Sequence, residues 1–153
     1  MNNLAAQVIC ALLGKTLVTA ESCTGGMIGA ALTSVPGSSV VYKGGVISYC
    51  DDVKENVLGV NEEVLQRYGA VSCPVAGMMA GGVRKLLKAD IAVSVTGVAG
   101  PDTDAFENPV GTVYIGYEDQ SKSFVNVYHF DGDRQSVRLQ ATMTAMQLLL
   151  DNC

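Results

Sequence analysis

Three short stretches carry residue types able to do chemistry. The first is Glu21-Ser22-Cys23-Thr24-Gly25-Gly26, which follows an apolar run and opens a helical one. The unpaired N–H groups of a helix start favour negative charge, and Gly25 and Gly26 let a ligand approach the backbone. Ser22 is either a nucleophile or a ligand donor here. Ser22 or Thr24 would equally serve as the cap of an ordinary turn. The spacing is neither the Walker A pattern nor G-x-S-x-G. Cys23 is a second, less favoured nucleophile, since a thiol at a helix start can be acidified.

The second stretch holds Tyr49 and Lys54. A serine nucleophile needs a base, and the only histidine is His129, near the end of a late strand. A Ser-His-Asp triad is therefore not expected. Lysine is the remaining strong base, provided desolvation or a nearby cation keeps it neutral. Asp51, Asp52 and Glu55 would act against this unless they point to solvent. Tyr49 would relay a proton or fix the geometry. The alternative is a surface lysine on an amphipathic helix. The third stretch is Thr96-Gly97-Val98-Ala99-Gly100-Pro101-Asp102, directly after a β-branched run. It reads as a ligand-facing loop or as a plain crossover; long structureless loops favour the former.

The elements that must position these groups are legible in the pattern. Residues 2–14 (NNLAAQVICALLG) have helical period, with Gly14 as the stop. Residues 15–20 (KTLVTA) predict a buried strand, and 25–33 a helix. Residues 43–49 (KGGVISY) predict a strand, followed by a helix to Leu58 capped by Asp51 or Asp52. A short helix over 61–68 follows. Pro74 opens a helix that runs to Leu87, whose Gly77, Gly81 and Gly82 imply close packing on a sheet or partner. Residues 90–96 (DIAVSVT) predict a central strand. Residues 111–117 and 123–130 predict an antiparallel hairpin. A closing helix over 134–150 places Val137, Ala141, Met143, Ala145, Leu148 and Leu149 near the core. Helices before, between and after five strands predict an α/β fold, a three-layer α/β/α sandwich with a mixed five-stranded sheet.

Composition narrows the function classes. The chain has 153 residues, 48% apolar and 16% charged, which predicts one folded domain over 1–153. A net charge of −5 disfavours nucleic-acid binding. No transmembrane segment or signal peptide is read, so a cytoplasmic protein without membrane attachment is expected. The five cysteines include no C-x-x-C pair, so no metal site is expected. A symmetric homodimer or higher homo-oligomer is expected on general grounds.

The stretches TLVTAESCTGGMIGAALTSVPGSS (16–39), YKGGVISYCDDVKENVLGV (42–60), GAVSCPVAGMMAGGVRK (69–85), VTGVAGPD (95–102) and PVGTVYIGY (109–117) resemble the CinA C-terminal domain family. GDRQSVRLQAT (132–142) resembles the family's closing helix. The resemblance covers almost the whole chain and implies a CinA-like, anticodon-binding-domain-like sandwich. It implies a nicotinamide-nucleotide amidase that converts nicotinamide mononucleotide to nicotinic acid mononucleotide and ammonia, without metal or organic cofactor. The family's catalytic serine, tyrosine and lysine map onto Ser22, Tyr49 and Lys54. Cys23, Thr24, Gly25 and Gly26 are then expected to supply oxyanion N–H groups. Gly97, Ala99, Gly100, Arg134 and Arg138 are expected to hold the nucleotide. Many members carry a further N-terminal nucleotide-pyrophosphatase domain, and with Met1 at its start this chain reads as a stand-alone version.

One departure qualifies that reading. The family commonly has a glycine-rich stretch where this chain has Asp102-Thr103-Asp104-Ala105-Phe106-Glu107-Asn108. Three acidic groups in place of an anion-friendly loop favour an alternative: a catalytically weak nucleotide-binding or regulatory interaction module.

Overall fold

Strands β1 (Leu17–Glu21) and β3 (Ile91–Gly97) are buried almost throughout, on both faces. Such strands require cover on each side. In the computed structural model, which describes residues 1–153, they are parallel neighbours at the centre of one sheet. β2 (Tyr42–Ile47) lies parallel to β1 at one edge. β4 (Thr112–Glu118) and β5 (Ser123–His129) extend the other side as an antiparallel hairpin, giving the order β2-β1-β3-β4-β5.

Alternate residues of the central strands feed two cores. Leu17, Ile91, Val93 and Val95 join the core under α1 (Asn2–Ala11), α2 (Met27–Thr33) and α6 (Arg134–Asn152). Val18, Ala20 and Ala92 join the core under α5 (Cys73–Leu87) and α4 (Glu62–Tyr68). The short α3 (Asp51–Asn56) leads into Leu58 and Val60, which enter that second core. The result is the expected three-layer sandwich with a mixed sheet. No helix is long and apolar enough to cross a membrane.

Local differences from the sequence reading have simple causes. Asp51 and Asp52 do not cap α3; Cys50 is its N-cap. The two aspartates lie in the first turn instead, where the helix dipole favours their charge. α4 starts one residue later than the pattern predicts, because Asn61 is its cap, accepting from the N–H groups of Glu63 (2.8 Å) and Val64 (3.2 Å). Met143 is 40% exposed rather than in the core, and Met146 is buried. Six residues beyond Val137, Met143 falls about 240° around the helix and so faces outward.

The glycines of α5 answer to the chain itself. A Cβ on Gly82 would fall on the carbonyl oxygen of Leu58, whereas one on Gly77 would meet Val125 at 3.6 Å, an ordinary contact. Gly82→Ala should therefore destabilise by about 2 kcal/mol, lowering Tm by about 4–8 °C. Gly77→Ala, which gains helix propensity without a clash, should leave Tm unchanged or raise it. A thermal melt of the two variants checks this.

Candidate active site

The carboxyl end of β1 is organised by Glu21, which is 2% exposed. Its Oε1 accepts from Thr24 Oγ1 (2.8 Å) and the N–H of Ile28 (2.9 Å). Its Oε2 accepts from the N–H of Gly29 (3.0 Å) and, at 3.4 Å, from Thr19 Oγ1. The carboxylate thus satisfies donors that the first turn of α2 would otherwise leave orphaned. Between Glu21 and α2 the chain turns through Gly25 (φ +57°) and Gly26 (φ +102°), a conformation that side chains resist. Arg138, reaching over from α6, donates from Nε to Cys23 O (2.9 Å) and from Nη2 to Thr24 O (3.4 Å). The turn is held from both sides, and Ser22 lies at its start, 8% exposed.

The end of β2 is tied to the same place, because the N–H of Ser48 donates to Glu21 O at 2.8 Å. α3 follows and sends Lys54 back toward the turn. Lys54 is 1% exposed. Its Nζ lies 3.0 Å from Ser22 Oγ, 2.6 Å from Ser48 O and 3.3 Å from Tyr49 O. A neutral amine has two N–H groups and one lone pair. Its partners are two carbonyls and the Ser22 hydroxyl; when the amine is neutral, its two N–H groups can serve the carbonyls and leave the lone pair for the Ser22 O–H. Burial pushes the Lys54 pKa below its ordinary value, opposed in part by Asp51 and by the neighbouring cysteines.

Cys23 is 5% exposed, and its surroundings disfavour a thiolate. Burial pushes its thiol up to about 11, the opposite of what an activated nucleophile needs.

A cleft of about 330 Å³ opens above the Ser22–Lys54 pair. Cys23, Gly97, Ala99 and Gly100 line it, and Tyr49, Arg134, Asp51 and Asp102 stand around it. The N–H groups of Cys23, Ala99 and Gly100 make no hydrogen bond within the protein. Tyr49 is 61% exposed, and its hydroxyl accepts from Arg134 Nη2 at 2.9 Å. Arg134 Nη1 donates to Gly100 O at 2.7 Å. Lys54 therefore reaches Ser22 without Tyr49 between them. His129 is not among the lining residues.

Four residues of the expected binding set lie outside the cleft lining. Thr24 is fully buried on Glu21, Gly25 lies under the Arg138 guanidinium, and Gly26 abuts Ile47. Arg138 spends its donors on Cys23 O, Thr24 O and Gln135 Oε1. It braces the turn rather than facing the cleft.

Sequence reasoning missed Glu21 and Asp104 as organising residues. An acid three residues before a threonine, ahead of a helix start, was the available signal for Glu21. Asp104 Oδ1 accepts from the N–H groups of Phe106 (3.1 Å) and Asn108 (2.8 Å), and Oδ2 accepts from Asn108 Nδ2 (2.8 Å). Asn108 Nδ2 also donates to Val71 O at 3.3 Å. Asp104 stiffens the 102–108 loop and, partly exposed, also lines the cleft.

The sequence pattern of the CinA C-terminal domain matches residues 1–153. The chain belongs to that family. A CinA-like protein of Thermotoga neapolitana is 45% identical over 135 residues, covering 88% of this chain and 33% of the relative. A CinA-like protein of Geobacter metallireducens is 45% identical over 136 residues, 89% and 33% respectively. The chain thus spans about a third of the length of these curated relatives. Among solved structures, a competence-damaged protein (CinA) superfamily protein of Escherichia coli superposes at TM-score 0.97 with 33% identity, covering 99% of this chain and 90% of that one. One from Klebsiella pneumoniae superposes at 0.96 with 36% identity, covering 98% and 95%.

In this CinA domain the Glu21 carboxylate carries the turn. Glu21→Gln leaves one of the two backbone N–H groups, of Ile28 or Gly29, facing an amide N–H₂ instead of an acceptor. It should destabilise by about 2 kcal/mol, seen as a Tm lower by about 4–8 °C. Cys23→Ala should keep its Tm within about 4 °C of the parent, since it removes little volume and no required bond.

Proposed function

We propose that this CinA domain is an amidohydrolase that deamidates nicotinamide mononucleotide to nicotinic acid mononucleotide and ammonia. The observation that carries the reading is the 3.0 Å contact between the buried Lys54 Nζ and Ser22 Oγ. A desolvated amine aimed at a hydroxyl in a cleft is the arrangement of a base-activated nucleophile. Family membership supports the same reading.

The reaction runs in two halves. Ser22 Oγ attacks the carboxamide carbon while Lys54 takes its proton. The tetrahedral oxyanion is held by backbone N–H, with Cys23 N–H the nearest free donor in the turn. Collapse expels ammonia, which takes the proton from Lys54, and leaves an ester on Ser22. A water then gives its proton to Lys54 and attacks that ester. The acid leaves as Ser22 recovers the proton. The phosphate is held at the mouth by unused Arg134 donors and the N–H groups of Ala99 and Gly100. Tyr49 shapes the mouth through its bond to Arg134 and lends its carbonyl to Lys54; the direct Ser22–Lys54 contact makes a tyrosine relay unnecessary.

The acidic 102–108 loop, and Asp51, which raises the Lys54 pKa against burial and so weakens the base, favour a second reading, a catalytically weak nucleotide-binding or regulatory module. Ammonia release from nicotinamide mononucleotide separates the two. Under the proposal, the parent releases ammonia, and Ser22→Ala and Lys54→Met lose at least about a hundredfold in kcat/KM while remaining folded. A folded parent that binds the nucleotide and releases no ammonia supports the second reading.

The pH dependence has a definite sign. The base acts only when neutral, so kcat/KM should rise with pH through the lowered Lys54 pKa, with a midpoint below the ordinary lysine value of about 10.4. Lys54→Arg, charged at every accessible pH, should abolish that limb along with the activity. A pH–rate profile of the parent and the arginine variant checks both points.

A further inference from the structure

The sheet has two edges, and they are built differently. At β2 the pairing with β1 slips by one residue, from Leu17↔Tyr42 to Val18↔Gly44. The slip leaves Lys43 unpaired at the edge, where its Nζ donates to Leu87 O at 2.6 Å, and Gly44 has φ +147°. A bulge and an edge lysine are the usual devices that keep an edge from pairing with another strand. β5 has neither. Its seven residues pair with β4 without a slip, and they contain no proline, lysine, arginine or acid.

The backbone of β5 shows which groups are free. Asp119 N–H donates to Lys122 O, and Phe130 N–H donates to Gly111 O, both at 2.9 Å. In an antiparallel pair alternate residues bond the neighbour. The even-numbered residues therefore face β4, and Ser123, Val125, Val127 and His129 turn their N–H and C=O groups outward. No strand takes them up.

The side-chain order then singles out the occupant. Read outward from Asn126 in both directions, β5 meets valine and valine, then Phe124 and Tyr128, then Ser123 and His129. A second copy laid antiparallel across a twofold axis at Asn126 puts valine opposite valine and phenylalanine opposite tyrosine. The outward residues pair only with outward residues in this register, so about eight backbone hydrogen bonds form. We propose that β5 is a homodimer contact through which two copies join into one continuous sheet.

Sedimentation at micromolar concentration tests this with the intact chain. The parent should run at twice its 16.0 kDa mass. Val127→Lys, a change at a 48% exposed side chain, should run as a monomer with unchanged circular dichroism. Val127→Pro, which removes one outward N–H, should do the same. Asn126→Cys places a thiol opposite its own copy at a Cα separation of about 4.5 Å, within disulfide reach. Mild oxidation should cross-link that variant well beyond the parent treated in parallel. A monomeric parent, a Val127→Lys variant that remains dimeric, or a dimeric Asn126→Cys variant that does not cross-link would each overturn the proposal.

Discussion

An amine with almost no access to water governs this structure. Removing a charged ammonium from water costs several kcal/mol even after relaxation. Lys54 has no carboxylate within salt-bridge distance to offset that cost; the only ion pair of the chain is Arg84–Glu118. The protein instead surrounds the amine with two carbonyls and one hydroxyl, and burial lowers its pKa. Burial favours the neutral amine, whose lone pair is then available to Ser22 at 3.0 Å.

Holding such a group in place requires rigid surroundings, and the fold supplies them from three directions. The parallel β1–β2 pair brings Ser22 and Ser48 to neighbouring strand ends, joined by the Ser48 N–H bond to Glu21 O. Glu21 locks the turn from below, through four donors and without a counter-ion. Arg138 locks it from the α6 side by binding its carbonyls. The loop after β3 closes the remaining wall, and Arg134 joins that wall to Tyr49 across the mouth. Ligand clefts in open α/β sheets form at these carboxyl ends.

Much of this was legible in the sequence. The buried runs of β1 and β3 and the hairpin pattern of β4–β5 are strong periodic signals, and they fix the layers. On spacing alone Ser22 and Lys54 were open candidates, and the family resemblance singled them out. What stayed hidden depends on contacts between distant segments. Arg138 looked like an anion ligand, yet it lies 115 positions from Cys23 and its hydrogen bond there is visible only in three dimensions. Tyr49 looked like a relay because its sequence distance to Lys54 is short, but its side chain points to Arg134. Asp104 read as an acid that, with Asp102, could bind a ribose hydroxyl or a cationic group, and local hydrogen bonds make it the organiser of its loop.

The central claim is that Lys54 is the depressed-pKa base of Ser22. It is tested most directly by following the Cε resonance of Lys54 in lysine-labelled protein across an alkaline titration. The account predicts a Lys54 midpoint below those of the surface lysines and a resonance displaced by Ser22→Ala. A midpoint at the ordinary value, or a resonance indifferent to Ser22→Ala, would contradict it.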